Sequence, residues 1–211
     1  MYDDTVSHFQ KMIYSRSMNI IMGIFLAGLW ARFAYQHILA YTSTHETIFL
    51  FFCFSETLQS ALFLFRSIPK TVSLDLFDWF AAIGGTFFAL LFRPTSMILW
   101  NGGQTLVVIG IILQIAGLIS INRSFALVPA MREIKISGLY QFVRHPIYLS
   151  YAILYTGYVL FSFSYMNLLC YVTTLLFFVV RIIEEEKHLS TNVIYRSYAE
   201  KVRFRIIPFV F

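Results

Sequence analysis

Six stretches of nearly unbroken apolar residues, near 19–40, 47–65, 77–93, 103–122, 147–162 and 166–183, limit this chain more than any motif does. Each is close to the roughly 17–25 residues that a helix needs to cross the hydrocarbon layer of a bilayer. With 58% hydrophobic and only 13% charged residues, the chain has too little polar surface to clothe six such segments in water. The sequence therefore predicts an all-α fold: a polytopic membrane helix bundle of about six transmembrane helices, forming one integral membrane domain over residues 1–211. Four of those helices fall within 1–122 and two within 123–211. Met1 to Asn19 carries Asp3, Asp4, Lys11 and Arg16, with no small-residue cleavage site after a short apolar core, and so reads as leading into a retained first helix.

The segments are joined mostly by short connections, which favours antiparallel packing of neighbours. Phe163 to Tyr165 is a turn so tight that the fifth and sixth segments read as a helical hairpin. Lys and Arg cluster in alternate connections. Lys11 and Arg16 precede the first segment, Arg66 and Lys70 follow the second, and Arg123, Arg132, Lys135 and Arg144 separate the fourth from the fifth. Arg181, Lys187, Arg196, Lys201, Arg203 and Arg205 close the chain, whereas the opposite side holds only Arg93. Because cytoplasmic loops retain positive charge, both termini are predicted to be cytoplasmic, in a cell inner membrane or the endoplasmic reticulum. The net charge of +5 lies in loops, where it suits anionic lipid headgroups rather than nucleic acid.

Two charges interrupt the segments, and such charges usually face a bundle interior or a wet cavity. Arg32 and Glu56 lie at depths of roughly 18 and 15 Å at 1.5 Å per residue, and are predicted to pair. Gln59 and Ser60 share a helical face with Glu56, giving a polar stripe. Pro129 and Gly138 break up the loop from Arg123 to Arg144, which reads as lying along the headgroup boundary. Glu184 to Val202 reads as a soluble helix, and Arg203 to Phe211, alternating base and bulk, as a segment at the interface. Cys53 and Cys170 both fall inside apolar segments, which speaks against a disulfide framework. The five His residues show no metal-binding spacing, so no metal is expected.

Polar chemistry concentrates in two places, Gly138 to Tyr148 and Arg181 to Glu186, which the charge count puts on one side of the membrane. In Arg144-His145-Pro146-Ile147-Tyr148, Pro146 is well tolerated in the first turn of a helix, so His145 sits at the mouth of the fifth segment. Free N–H groups and partial positive charge there suit an anion, and Arg144 adds a bidentate donor. Glu184, Glu185 and Glu186 supply carboxylates that accept from hydroxyls or an amine, or lie near a cation. A ligand with anion, cation and ribose hydroxyls matches both halves. The same residues are also compatible with interfacial anchors and a solvated helix end.

The ordered set Gly138-Leu139-Tyr140, Arg144-His145-Pro146-Ile147-Tyr148, Arg181, Glu185, Glu186, Leu189, Tyr195, Tyr198 and Val202 resembles the isoprenylcysteine carboxyl methyltransferase and phospholipid methyltransferase group of integral membrane enzymes. The resemblance covers roughly the last 90 residues, making 123–211 the methyltransferase-like catalytic region. It implies S-adenosyl-L-methionine as methyl donor, held without a dinucleotide-binding fold, and a lipid or prenylated methyl acceptor met among membrane lipids. Tyr140, His145, Pro146, Ile147 and Tyr148 resemble the cofactor-binding loop, with Ile134 and Lys135 upstream. Glu185 resembles the carboxylate that contacts the cofactor. Arg181, one turn earlier, resembles the residue that meets the acceptor, and it is the candidate for both catalysis and substrate binding. Two departures stand out: Ser150 occupies the family's usual Gly position, and Leu189 to Tyr195 is shorter than in the prenylcysteine enzymes and lacks their Phe-Gly pair.

Methyl transfer from a sulfonium is an in-line displacement, so alignment near 3 to 3.5 Å supplies much of the acceleration and no strong protein nucleophile is required. A carboxylate acceptor needs no base, whereas an amine loses a proton at some stage. Two other readings are compatible with the sequence. Membrane sterol-type NADPH reductases share the Arg-His-Pro-x-Tyr pattern, and a small transporter or scaffold would place Arg32, Glu56 and Gln59 along a path.

Overall fold

A computed structural model describes residues 16–65, 71–124 and 128–207 of the chain. The fold is all-α. Among the described residues seven α-helices follow one another: α1 (Arg16–Thr44), α2 (Ile48–Phe65), α3 (Leu76–Phe87), α4 (Gly103–Ile121), α5 (Pro146–Phe161), α6 (Tyr165–Leu189) and α7 (Val193–Lys201). The first six coincide with the apolar segments. One antiparallel ladder joins β1 (Thr71–Val72) to β2 (Ala130–Met131), pairing Thr71 with Met131 and Val72 with Ala130.

The helices begin and end where local chemistry dictates. Asp75, Ser164 and Asn192 cap α3, α6 and α7, each side chain accepting a backbone N–H of the first turn. Pro146 opens α5, where a missing N–H costs nothing. Among the described residues, two helices, α4 and α6, are long and apolar enough to cross a membrane by length and composition, against the six expected of the whole chain. Two of the other apolar helices are short: α3 gives way to a 3-10 turn at Phe88–Leu91, and α5 has 16 residues.

Glycines decide which helices lie closest. An added Cβ at Gly103 would collide with the carbonyl of Gly157, one at Gly110 would lie 2.7 Å from Leu154 Cβ, and one at Gly117 3.0 Å from Ile147 Cγ1. The partner numbers fall as the glycine numbers rise, so α4 and α5 run antiparallel along a seven-residue glycine stripe, the small-residue contact by which apolar helices approach. α5 therefore lies against α4 more extensively than against α6, its predicted hairpin partner. In turn α6 packs along α3. Asn167 ties the α6 start to Arg93, donating to its carbonyl at 2.8 Å and accepting its N–H at 3.0 Å, and Thr71 meets His188 at 3.1 Å near the other end.

Between these pairs the core is aromatic. Phe33 of α1, Phe52 of α2, Phe92, and Tyr155 and Tyr158 of α5 are all at most 2% exposed, and Phe52 stacks on Tyr158 at 4.1 Å. Outward faces are apolar too: Ile112 and Ile119 of α4 and Leu169 and Leu176 of α6 are exposed, the reverse of a water-facing helix.

Glu56 is 5% exposed and accepts from Tyr155 Oη at 3.2 Å, whereas Arg32 lies exposed on α1. The predicted Arg32–Glu56 pair is therefore replaced by a carboxyl held by a phenol. Gln114 of α4 completes a second buried polar contact, accepting from Ser55 Oγ at 2.8 Å and donating to Tyr151 Oη at 3.2 Å. The side chains of Gln59 and Ser60, like Met1–Ser15, Arg66, Lys70 and residues 208–211, lie outside the described residues.

Candidate functional site

The polar loop reaches its place through backbone geometry. Gly138 takes a left-handed φ of +63°, and an added Cβ would collide with Ser120 at the end of α4. Ser120 Oγ in turn accepts the N–H of Leu139 at 3.3 Å. A 3-10 turn over Gly138–Gln141 then carries Tyr140 inward, where Tyr198 Oη of α7 donates to its carbonyl at 2.7 Å. Tyr140, Tyr195 and Tyr198 form a small aromatic cluster of their own beside the main core.

Beyond it the chain turns into α5, and the segment after α7 comes back to meet it. Arg144 N donates to Phe204 O at 2.9 Å and His145 N to Arg205 O at 2.8 Å. Residues 203–207, read from the sequence as an interfacial segment, are thus partly committed to the loop. Glu186 fastens the same junction with its side chain. His145 Nε2 lies 3.1 Å from Oε1, and a carboxylate can only accept, so this nitrogen donates. Arg205 Nε donates to Oε2 at 2.8 Å and Arg144 Nη2 to the same oxygen at 3.3 Å. Arg144 Nε sits 2.8 Å from Oε1 as an ion pair angled away from hydrogen-bond geometry. Burial of Glu186 pushes its carboxyl up, but hydrogen bonds from His145 and Arg205 and the charges of His145 and Arg144 outweigh it, holding the group at about 2. Arg144, expected as a donor to a ligand anion, is engaged here instead.

The three consecutive glutamates point three ways, as 100° per residue on a helix requires. Glu184 pairs with exposed Lys187 at 3.1 Å, Glu186 ties the loop, and Glu185 faces a cavity. Tyr148 Oη donates to Glu185 Oε2 at 3.4 Å, and the Arg181 guanidinium carbon lies 5.4 Å from the centre of the Tyr148 ring, a cation–π approach.

The cavity and its open mouth together enclose about 1030 Å3 of space not occupied by atoms. Of the residues singled out from the sequence, Ile134, Lys135, Tyr140, His145, Ile147, Tyr148, Arg181 and Glu185 all line it. Pro146 does not: it is buried as the first residue of α5. Ser150, in the family's Gly position, is fully buried and turns its hydroxyl to Ile147 O at 2.7 Å, so it fits without widening the helix contact. The predicted helix over 184–202 is two pieces, broken at Ser190–Asn192, and Leu189 and Tyr195 on either side of the break both line the cavity.

Sequence reasoning missed other walls. Gly85 and Thr86 of α3, Tyr151 and Tyr155 of α5 and Phe178 of α6 carry the cavity inward, and only the tyrosine spacing at 148, 151 and 155 signalled one helical face. Tyr195 Oη is buried in the wall with no hydrogen-bond partner among the described residues. Burial first, and then the charge of Glu185, push the Tyr140 phenol well above its ordinary range, so it stays a neutral hydroxyl.

Residues 99–197 match the model of a family described as Phospholipid methyltransferase. This stretch of the chain is similar to that family. It contains α4 to α6, the polar loop and the glutamate run, and therefore most of the cavity wall; Gly85, Thr86, Tyr198 and Arg205 lie outside it. No curated protein matches the chain.

Proposed function

We propose that this protein is an integral membrane methyltransferase that uses S-adenosyl-L-methionine to methylate a lipid-embedded or prenylated acceptor, by carboxyl O- or headgroup N-methylation. The observation that carries the reading is the convergence of Tyr148, Glu185 and Arg181 on one cavity, within a stretch similar to the phospholipid methyltransferase family. The donor set suits the cofactor. Glu185 offers a carboxylate to ribose hydroxyls or an ammonium, Lys135 a cation to a carboxylate, and the tyrosine rings their faces to a sulfonium. The buried Tyr195 hydroxyl supplies a polar contact that the described residues leave unused.

When bound, the cofactor supplies an electrophilic methyl and a neutral thioether leaving group. This chain's residues then have three tasks. Tyr140, Ile147 and Tyr148 enclose and orient, Glu185 binds, and Arg181 aligns an anionic carboxylate or lipid phosphate of the acceptor. Glu186 holds the loop but is not available to the reactants, its oxygens being engaged by Arg144, His145 and Arg205.

Exposed apolar faces on α4 and α6 support embedding in a bilayer. In this reading α1 to α6 form the membrane bundle, the sixth span ending near residue 183, with the termini and the cavity mouth at the cytosolic rim. Detergent-solubilised protein should bind labelled S-adenosyl-L-methionine saturably, with competition by S-adenosylhomocysteine but not by NADPH. Absence of that binding overturns the proposal. Incubating membranes with methyl-labelled cofactor then separates the acceptor classes by whether label enters lipid or protein.

A further inference from the structure

Arg181 is held from a helix outside the matched stretch. Its Nη1 donates to Thr86 Oγ1 of α3 at 3.4 Å, while the same Thr86 oxygen donates its only proton to Ala82 O at 2.9 Å. That second bond fixes the role of the hydroxyl. With its hydrogen turned down the helix, Thr86 presents lone pairs toward α6, where they can only receive. Gly85 makes the approach possible, since an added Cβ would lie 3.0 Å from Arg181 Cδ and 3.3 Å from Arg181 Nη1. On the other side the guanidinium carbon lies 5.4 Å from the Tyr148 ring centre. Arg181 is 8% exposed, and Gly85, Thr86, Tyr148 and Arg181 all line the cavity.

We infer that Thr86, with the space left at Gly85, is a positioning residue that sets the direction of the Arg181 guanidinium toward the methyl acceptor. This rests on the methyltransferase reading of the site. An arginine on a flexible stem has many rotamers, and an acceptor on one side with an aromatic face on the other leaves few. The N-terminal half of the chain thereby contributes to acceptor alignment through α3, while Tyr148 and Glu185 stand on α5 and α6.

Thr86→Val removes the acceptor and keeps the shape, and Thr86→Ser restores it. In membranes given methyl-labelled S-adenosyl-L-methionine at saturation, Thr86→Val should lower label transfer about tenfold, the loss of one charge-assisted hydrogen bond. Affinity for labelled cofactor should stay within about twofold, and Thr86→Ser should recover most of the transfer. Gly85→Ala, which pushes on Arg181 rather than releasing it, should show the same split. Phenylglyoxal labelling of Arg181, read by mass spectrometry, should quicken at least about threefold in Thr86→Val, a readout independent of turnover. Unchanged labelling and unchanged transfer in Thr86→Val, or cofactor affinity falling in step with transfer, overturns the inference. Failure of the unsubstituted protein to bind S-adenosyl-L-methionine overturns the site reading instead.

Discussion

Replacing Glu186 by Gln should loosen the loop that leads into α5 and the segment after α7 together. One carboxylate serves Arg144, His145 and Arg205 at 2.8, 3.1 and 2.8 Å, and it is 8% exposed. Two routes give the size of the loss. Breaking a buried ion pair by removing one partner costs about 3–5 kcal/mol, with the lower end apt for a site at a rim. Independently, the displacement of the carboxyl from 4.5 to about 2 corresponds to about 3 kcal/mol of preference for the ionised form in the folded protein. Because the folded value is depressed, this stabilisation is complete above about pH 4.5 and disappears as pH falls through the window down to about 2. Hydrogen exchange is the apt assay, since the amides of Arg144 and His145 donate to Phe204 and Arg205 across the junction. At pH 7, Glu186→Gln should exchange these amides about a hundredfold faster than the unsubstituted protein, after correction for intrinsic rates. The difference should shrink when both are compared near pH 3. Equal protection at pH 7, or a difference that persists undiminished at low pH, refutes the assignment of Glu186 as the fastening group.

Three further outcomes are expected. Glu185→Gln should weaken cofactor binding about tenfold by calorimetry, and unchanged affinity would remove Glu185 from the binding set. Arg181→Ala should abolish label transfer while leaving cofactor affinity within about threefold; equal loss of both would argue against its assignment to the acceptor. Gly103→Val should lower stability by about 3 kcal/mol or prevent folding, because even a Cβ there meets the Gly157 carbonyl, and a normal thermal midpoint in detergent would contradict the close α4–α5 contact.

The helices were legible because apolar length is a one-dimensional signal. All six segments became helices, and the Phe163–Tyr165 turn appeared with Ser164 as the cap of α6. Partner choice was not, since short linkage suggested α5 with α6 while the glycine spacing at 103, 110 and 117 brings α4 and α5 together. Within the site, residue types were readable but directions were not. Three identical glutamates in a row carry no physical mark of which faces the cavity, so that only the family resemblance singled out Glu185, and backbone bonds such as those from Arg144 and His145 to residues 204 and 205 depend on no side chain at all. Arg32 and Glu56 lay at matching depths, yet depth says nothing about azimuth. Arg32 faces outward, and Glu56 meets Tyr155. Thr86 could be located on a helix from the sequence, but its contact with Arg181 depends on how α3 is rotated, which no local pattern encodes.

The bonds from Arg144 and His145 to residues 204 and 205 also impose an order on assembly. While the chain is being made, α1 to α6 can already be placed when Arg144 and His145 still have no carbonyls opposite their amides. The loop that brings Tyr140 and His145 to the cavity is fastened only when the much later Phe204 and Arg205 arrive, so a nascent chain with α1 to α6 in position still carries an unfastened site.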